Sequence, residues 1–192
     1  MATREILIYP KNKTTLRAIS KPARVFNRQT RDLIADLKET LLAHQEGIGL
    51  AAPQIGVLSR VVVVRLGGRN DWDQEADPPI GLVNPKIIAS SDERKDFDGC
   101  LSFPGLFGET RRPHYLRVRS LDESGKPFER VFTDFDAVLV HHEIDHLEGV
   151  LFIDRIQSLG DLYRVIIDGN GRPVQVPVSE IVPLIRVTDM AD

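Results

Sequence analysis

Two histidines four positions apart, His142 and His146, constrain the fold of this chain more than any other feature. They begin and end the segment H-E-I-D-H. An interval of four places both imidazoles on one face of an α-helix, within reach of one metal ion. The segment therefore predicts a helix that presents two metal ligands, although a bare five-residue match also occurs on ordinary surface helices.

Cys100 is the only cysteine of the chain, and it offers the third protein ligand that a tetrahedral catalytic site requires. It lies in the segment D-G-C-L-S, where Gly99 lets the backbone approach a site closely. A lone cysteine is more commonly a small core residue, and the residues alone leave that alternative open. Glu143, beside the first histidine, is placed to act as general base on a water bound to the metal.

A third segment, G-I-G-L-A-A-P-Q, runs from Gly47 to Gln54. Its small residues allow the backbone to pass close to a ligand, and Gln54 offers an amide donor. The segment has neither of the glycine spacings that bind phosphate groups. By itself it predicts only a turn.

Hydrophobic periodicity predicts two helices. The first covers about 30–46 and ends at Gly47. The second covers about 134–148, with Thr133 or Asp134 capping its N-terminus and Gly149 ending it.

Alternating or β-branched runs predict strands, and the ranges are 60–65, 81–89, 115–121, 128–132, 163–167, 173–178 and 181–187. Residues 6–19 indicate an extended arm with an edge strand, and residues 70–79 a solvated loop. We therefore expect an α+β fold, with antiparallel β-sheets surrounding the helix of the histidine segment, an N-terminal helix and a β-like C-terminal ending.

Composition limits the classes of function. A chain of 192 residues predicts one catalytic domain over 1–192, with a core at about 5–156 and an extension at about 157–192. The net charge of -3 gives no basic face for DNA or RNA, and no apolar run approaches the roughly 20 residues that span a membrane. With one cysteine and neither an apolar signal core nor a transit peptide, we expect a cytoplasmic protein.

Taken together and in this order, the three segments resemble the peptide deformylases, which remove the formyl group from the initiator methionine of new proteins in bacteria and organelles. The family motifs G-x-G-L-A-A-x-Q, E-G-C-L-S and H-E-x-D-H-L-x-G are nearly intact here. Tyr9-Pro10 and Leu16-Arg17 are also similar to the N-terminal arm of the family. The resemblance covers about residues 5–156.

The resemblance implies one divalent metal ion, commonly ferrous iron, which zinc, nickel or cobalt can replace. Its implied ligands are Cys100, His142 and His146. In the family mechanism, Glu143 takes a proton from the metal-bound water that attacks the formyl carbon, and later protonates the departing amine. The Gln54 side chain and the backbone N–H of Leu101 stabilise the oxyanion. The implied substrates are N-formylmethionyl nascent peptides.

Matching positions also imply a pocket for the methionine side chain, lined by Ile48, Phe135, Val138, Leu139 and the ring of His142. Gly49 and Gly99 flank it and are expected to hydrogen-bond an extended peptide. From the residues alone, plain core packing explains these apolar side chains equally well.

The chain departs from the family pattern at three places. Asp98 replaces the usual glutamate, and we expect it to pair with Arg112 and so hold the cysteine loop. Asp96 stands where an apolar pocket residue is common and is expected to alter the pocket rim. From Asp154 onward there are six acidic and four basic residues, so the basic ribosome-docking helix of some bacterial relatives is not visible. A transient ribosome contact stays open.

Two alternatives remain at the level of sequence. The first is an ordinary zinc peptidase, which usually takes its third ligand from His or Glu rather than from a residue such as Cys100. The second is an inactive relative that keeps the metal for structure and binds peptide amino termini. Glu143 and Gln54 argue against the second, because a structural site needs neither a base nor an oxyanion donor.

Overall fold

A computed structural model of the chain describes residues 2–24, 27–44, 46–67, 78–167, 169 and 171–178. Within these ranges the α-helices are α1 (Lys13–Leu16), α2 (Arg28–Leu42) and α3 (Asp134–Leu147). The strands are β1 (Gly49–Ala51), β2 (Val61–Val64), β3 (Ile80–Gly99), β4 (Leu106–Leu121), β5 (Pro127–Thr133), β6 (Leu162–Ile167) and β7 (Pro173–Pro177). Short 3-10 helices cover Ala52–Ile55, Phe152–Arg155 and Leu159–Asp161.

All seven strands belong to one antiparallel sheet in the order β1-β2-β3-β4-β6-β7, with β5 paired to β4. Strand β4 is the centre of this sheet. One edge of β4 pairs with β3 along most of its length. The other edge pairs with β5 at residues 115–121 and with β6 at residues 106–108. The expected α+β architecture, with antiparallel strands around the helix of the histidine segment, is confirmed.

Helix α3 is a core helix rather than an amphipathic one. Every residue from Ala137 to Leu147 is buried, and this stretch includes three histidines, Glu143 and Asp145 as well as apolar residues. Its apolar side chains pack against the inner face of the sheet in one cluster, which includes Leu116, Val118, Phe132, Ala137, Val140 and Ile144. Gly149, at a φ of 71°, ends the helix as predicted. Thr133 is the N-cap, but its side chain makes no capping hydrogen bond, so the predicted cap is wrong in this respect.

Helix α2 covers the other face of β1 and β2. Asn27 caps it, because the side-chain oxygen of Asn27 accepts a hydrogen bond from the Thr30 N–H. Ile34, Leu37 and Leu41 are its buried apolar residues. The helix ends at Leu42, four residues before the predicted end, because a turn closed by the hydrogen bond from Gly47 N–H to the carbonyl of residue 44 precedes β1.

Three further sequence predictions need correction. Strands β3 and β4 are much longer than predicted. The second half of β3 and the first half of β4 were missed, because they carry many polar residues and lack the alternation of apolar and polar residues that predicts a strand. Residues 47–54 form β1 and a 3-10 helix rather than a plain turn. Residues 6–19 contain α1 and no edge strand, because the Leu7 and Tyr9 amides bond to two separate segments, at Gln54 and Ser102.

The predicted strands 60–65, 128–132, 163–167 and 173–178 are confirmed within a residue or two. The predicted strand 181–187 and most of the predicted loop 70–79 lie outside the described residues. Among the helices that the structure describes, none has the length and apolar character needed to cross a membrane.

Candidate active site

Three candidate metal ligands meet where the end of β3 faces the second half of α3. The ligand atoms of Cys100, His142 and His146 all lie within 4.8 Å of one another. Cys100 Sγ lies 3.3 Å from His146 Nε2, and both histidine rings are buried. One thiolate and two imidazoles are a donor set that suits a divalent transition metal, so the residues present fit such an ion.

Asp98 orients the first histidine. His142 Nδ1–H donates to Asp98 Oδ1 at 2.8 Å, which leaves Nε2 free to bind a metal. Burial alone would lower the pKa of His142, but the charge and the hydrogen bond of Asp98, together with Cys100, outweigh burial and raise this pKa well above its ordinary value. Burial alone would raise the pKa of Asp98, whereas His142 and Arg112 lower it far below its ordinary value.

Arg112 joins the sheet to α3 through buried ion pairs. Its side chain is wholly buried and lies 2.7 Å from both Asp98 Oδ2 and Asp145 Oδ2. The predicted pairing of Asp98 with Arg112 is therefore confirmed. Arg155 pairs with the other oxygen of Asp145 at 2.7 Å, and His141 Nδ1 accepts from Arg112 at 2.7 Å. Each buried charge of this network has a partner, as its burial requires.

Glu143 is buried between α3 and β1. Its Oε2 is inaccessible to solvent and has no hydrogen-bond partner among the described residues. Burial raises the pKa of the Glu143 carboxyl to about 7, although the charge of His142 opposes the shift. A carboxyl that titrates near neutral pH can both accept and return a proton.

Gly49 makes room for this carboxyl. A Cβ atom at position 49 would overlap Glu143 Oε1 and would also lie 2.8 Å from the side chain of Leu139. The sequence predicted Gly49 as a peptide-binding residue. The structure adds that its missing side chain is a condition for the position of Glu143.

Gln54 points its amide nitrogen at the ligand cluster. Its Oε1 accepts a hydrogen bond from the Ala51 N–H at 2.8 Å, which fixes the assignment of oxygen and nitrogen in the amide. Its Nε2 lies 3.2 Å from Ser102 Oγ and 3.5 Å from Cys100 Sγ. The orientation suits a donor to an oxyanion. Leu101 follows the cysteine directly and is partly buried against the cluster of α2 and β2.

The other predicted pocket residues lie on the same elements. Val138 and Leu139 are buried on α3, whereas Phe135 and Ile48 are partly buried. Leu139 and Ile48 also take part in the core cluster, so packing and binding roles coincide there. Gly99 faces the Phe107 ring, and a Cβ atom there would lie 2.7 Å from Phe107 Cδ1.

Asp96 lies two residues before Asp98 on β3. It accepts a hydrogen bond from the following amide, Phe97 N–H, at 2.7 Å. Its Oδ2 lies 3.7 Å from Nε2 of the buried His114. Phe97 stacks on Phe107 with ring centroids 5.5 Å apart.

Sequence reasoning missed several residues that hold the site. Asp145 lies inside the histidine segment, and Ser102 inside the cysteine segment, yet neither was given a role. The only signal for Asp145 and Ser102 was that each is a polar residue in a segment predicted to carry a metal ligand. Arg155 and Thr110, which bond to Asp145 and Asp98, gave no such signal.

The chain is similar to known proteins over most of its length. A sequence profile of the polypeptide deformylase family matches residues 3–161. Peptide deformylase 1 of Bacillus subtilis strain 168 is 39% identical over 161 residues, which are 82% of this chain and 92% of the relative.

Solved structures agree with the sequence comparison. The crystal structure of a peptide deformylase from Legionella pneumophila is 39% identical, covers 82% of this chain and 88% of its own, and superposes with a TM-score of 0.72. A Met-Ala-Ser bound structure of a class I type b peptide deformylase from Acinetobacter baumannii is 30% identical. It covers 81% of this chain and 100% of its own, with a TM-score of 0.72.

Proposed function

Because this chain belongs to the polypeptide deformylase family, we propose that Cys100, His142 and His146 hold its metal ion and that Glu143 moves the proton of the reaction. The enzyme is a metal-dependent hydrolase that removes the formyl group from N-formylmethionyl peptides of nascent proteins. One observation supports the assignment of residues: three ligand atoms lie within 4.8 Å of one another beside the buried Glu143 carboxyl, whose Oε2 has no hydrogen-bond partner among the described residues.

The metal supplies Lewis acidity for hydrolysis when it is bound. We propose ferrous iron as the ion in the cell, with zinc, nickel or cobalt able to replace it. A ligand set of one thiolate and two imidazoles is compatible with all four ions, which is why metal analysis of the protein purified without oxygen is the test.

The residues of the chain carry the proton and the developing charge. Glu143 takes a proton from the attacking water, whose oxygen forms the new bond to the formyl carbon. The carbon–nitrogen bond then breaks, and Glu143 returns the proton to the departing amine, which yields formate and a free amino terminus. Gln54 Nε2 and the backbone N–H of Leu101 donate to the oxyanion.

The peptide binds along β1 and α3 in this proposal. Its proposed contacts are Ile48, Gly49, Gly99, Phe135, Val138 and Leu139. The relative with Met-Ala-Ser bound supports a site for the methionyl end of a peptide. Apolar side chains suit the unbranched thioether of methionine, and the backbone at the glycines suits an extended chain.

Residues 1–192 form a single catalytic domain in this proposal. Strand β6 pairs with β4 beside the cysteine loop, which supports a core that extends past the expected end at 156.

The place of action follows from the substrate. We propose a cytoplasmic enzyme that meets nascent chains during transient ribosome contact. Sedimentation with translating and with empty ribosomes tests this contact. If the protein is absent from both ribosome fractions, the contact is contradicted.

The experiment is formate release from formyl-Met-Ala-Ser by protein purified without oxygen. We expect metal-loaded parent to release formate, and Glu143→Gln to retain its metal while release falls by about 100- to 10,000-fold. Glu148→Gln is the matched control, since Glu148 lies just after α3 and pairs with Arg60 at the surface. A Glu143→Gln variant with parental activity would remove Glu143 from its role.

A further inference from the structure

Ser102 is a buried hydroxyl that the mechanism above does not use. Its side chain is fully buried two residues after Cys100. Its Oγ accepts a hydrogen bond from Gln54 Nε2 at 3.2 Å. This hydroxyl therefore contacts the proposed oxyanion donor, and it is not one of the proposed peptide contacts.

The Gln54 amide is fixed at both of its ends. Ala51 N–H binds the oxygen, and Ser102 Oγ binds one N–H of the nitrogen. A primary amide carries two N–H donors, and the terminal torsion of glutamine is broad when nothing restrains it. With the first N–H on Ser102, the second is directed at the ligand cluster, where it donates to Cys100 Sγ at 3.5 Å.

The N-terminal arm forms backbone hydrogen bonds to both Gln54 and Ser102. Leu7 N–H donates to the Gln54 carbonyl at 2.7 Å, and Tyr9 N–H donates to the Ser102 carbonyl at 3.0 Å. The Tyr9 ring stacks on Phe103 with centroids 5.0 Å apart. The spacing of the two segments is therefore set by one stretch of chain, independently of the side-chain bond between them.

We propose that Ser102 is a positioning residue, which holds the Gln54 amide so that its second N–H points at the oxyanion of the reaction. The inference rests on the proposed role of Gln54. Loss of the hydroxyl leaves the metal ligands untouched, so its effect should fall on kcat rather than on KM or bound metal.

A double-mutant cycle tests this. We expect Gln54→Ala to lower kcat about 100-fold and Ser102→Ala about tenfold. In the Gln54→Ala background, Ser102→Ala should change kcat less than about twofold, because the group through which it acts is gone. The KM and the metal content of Ser102→Ala should match those of the parent, and adding Ser102→Ala to Gln54→Ala should change neither quantity.

Ser120→Ala is the matched control. Ser120 is also buried and bonds to the Val83 carbonyl at 3.0 Å, away from the site. We expect this variant to keep the parental kcat. If Ser102→Ala does not fold, Ser102→Cys carries the same cycle, because a thiol fills the space but accepts hydrogen bonds weakly.

The outcomes are separable. Parental kcat in Ser102→Ala, or an equal loss in both backgrounds, overturns the role of Ser102 while that of Gln54 stands. Parental kcat in Gln54→Ala overturns the proposed function of Gln54 and the inference with it.

Discussion

At the scale of single residues, the site depends on what is absent as much as on what is present. Gly49 has no side chain, and the space is taken by the Glu143 carboxyl and by Leu139. Asp98 has a shorter side chain than the usual glutamate, yet it still reaches both His142 and Arg112. A small change of size at position 49 and a change of charge at position 98 should therefore have specific effects.

Gly49→Ala should displace Glu143 and lower kcat by about 100-fold, the cost of a misplacement of about 1 Å at a reacting group. Formate release and metal content are the measurements. Gly160→Ala is the control, since the nearest atom to a Cβ there is Ser158 Oγ at 3.6 Å. Equal kcat in parent and Gly49→Ala would contradict the packing of the carboxyl against β1.

Asp98→Asn should weaken metal binding by about 10- to 100-fold, because His142 loses the carboxylate that orients its ring. Competition with a chelator measures the affinity. Asp122→Asn is the control and should retain parental affinity, since Asp122 lies in the turn between β4 and β5 and accepts hydrogen bonds from the Ser124 and Lys126 amides. An Asp98→Asn protein that resists the chelator as the parent does would refute the orienting role.

Spacing predicted the candidate ligands because an interval of four residues defines one face of a helix wherever that helix lies. Ser102 and Asp145 had no such signal. Their partners, Gln54 and Arg112, lie 48 and 33 positions away in sequence. Helical or strand periodicity carries no information about pairs at that separation, so these contacts needed the fold.

At the scale of elements, one arginine connects the sheet with its core helix. Arg112 on β4 reaches Asp145 on α3; the Arg112 side chain is wholly buried and the Asp145 side chain is 9% exposed. The polar inner face that this pair requires is also the reason why the strand pattern failed. The second half of β3 and the first half of β4 carry residues such as Asp98, Thr110 and Arg112 at inward positions.

Asp145→Asn should lower the free energy of unfolding by about 3 kcal/mol, because it leaves a buried arginine short of one counter-charge. Urea unfolding of the metal-free protein measures this. Asp32→Asn is the control: it removes an exposed pair with Arg28 on α2, and we expect a loss below about 0.5 kcal/mol. Similar losses of unfolding free energy in the two variants would mean that the buried ion pair stabilises the fold no more than the exposed pair does.

The same pair predicts a pH dependence. Burial alone would raise the pKa of Asp145, but Arg155 and Arg112 lower it below its ordinary value. The unfolded chain then binds the proton more readily, so this stabilisation is present above about pH 4 and is lost as the pH falls further. The unfolding free energy of metal-free parent should decline between about pH 5 and pH 3, more steeply than that of Asp145→Asn. If the unfolding free energies of the parent and of Asp145→Asn decline equally with pH, Asp145 is not the source of this pH dependence.

At the scale of the whole molecule, β4 holds three partners at once. Its first residues pair with β6, and Leu162 of β6 is buried against the cluster that includes Cys100. Strand β7 pairs with β6 alone. The two C-terminal strands should therefore differ in their importance, which the sequence could not indicate because both have the same alternating pattern.

A chain that ends after residue 172 should keep the formate release of the parent. A chain that ends after residue 156 also loses β6, and we expect its melting temperature to fall by about 5 to 10 °C, because a buried leucine and a strand pairing are removed. Thermal unfolding of both truncated chains makes the comparison. Equal melting temperatures would set the end of the core at 156.

The pairing of β4 with β6 also bears on the order in which the parts of the site assemble during synthesis. The ligands lie at positions 100, 142 and 146, yet the residues that directly follow the cysteine loop pair with residues 162–164. A ribosome delivers these segments in order, and contacts of such long range form only after the later one has emerged. We therefore expect the three ligands to meet only after residue 146 has emerged, and the β4–β6 pairing beside Cys100 to form later still.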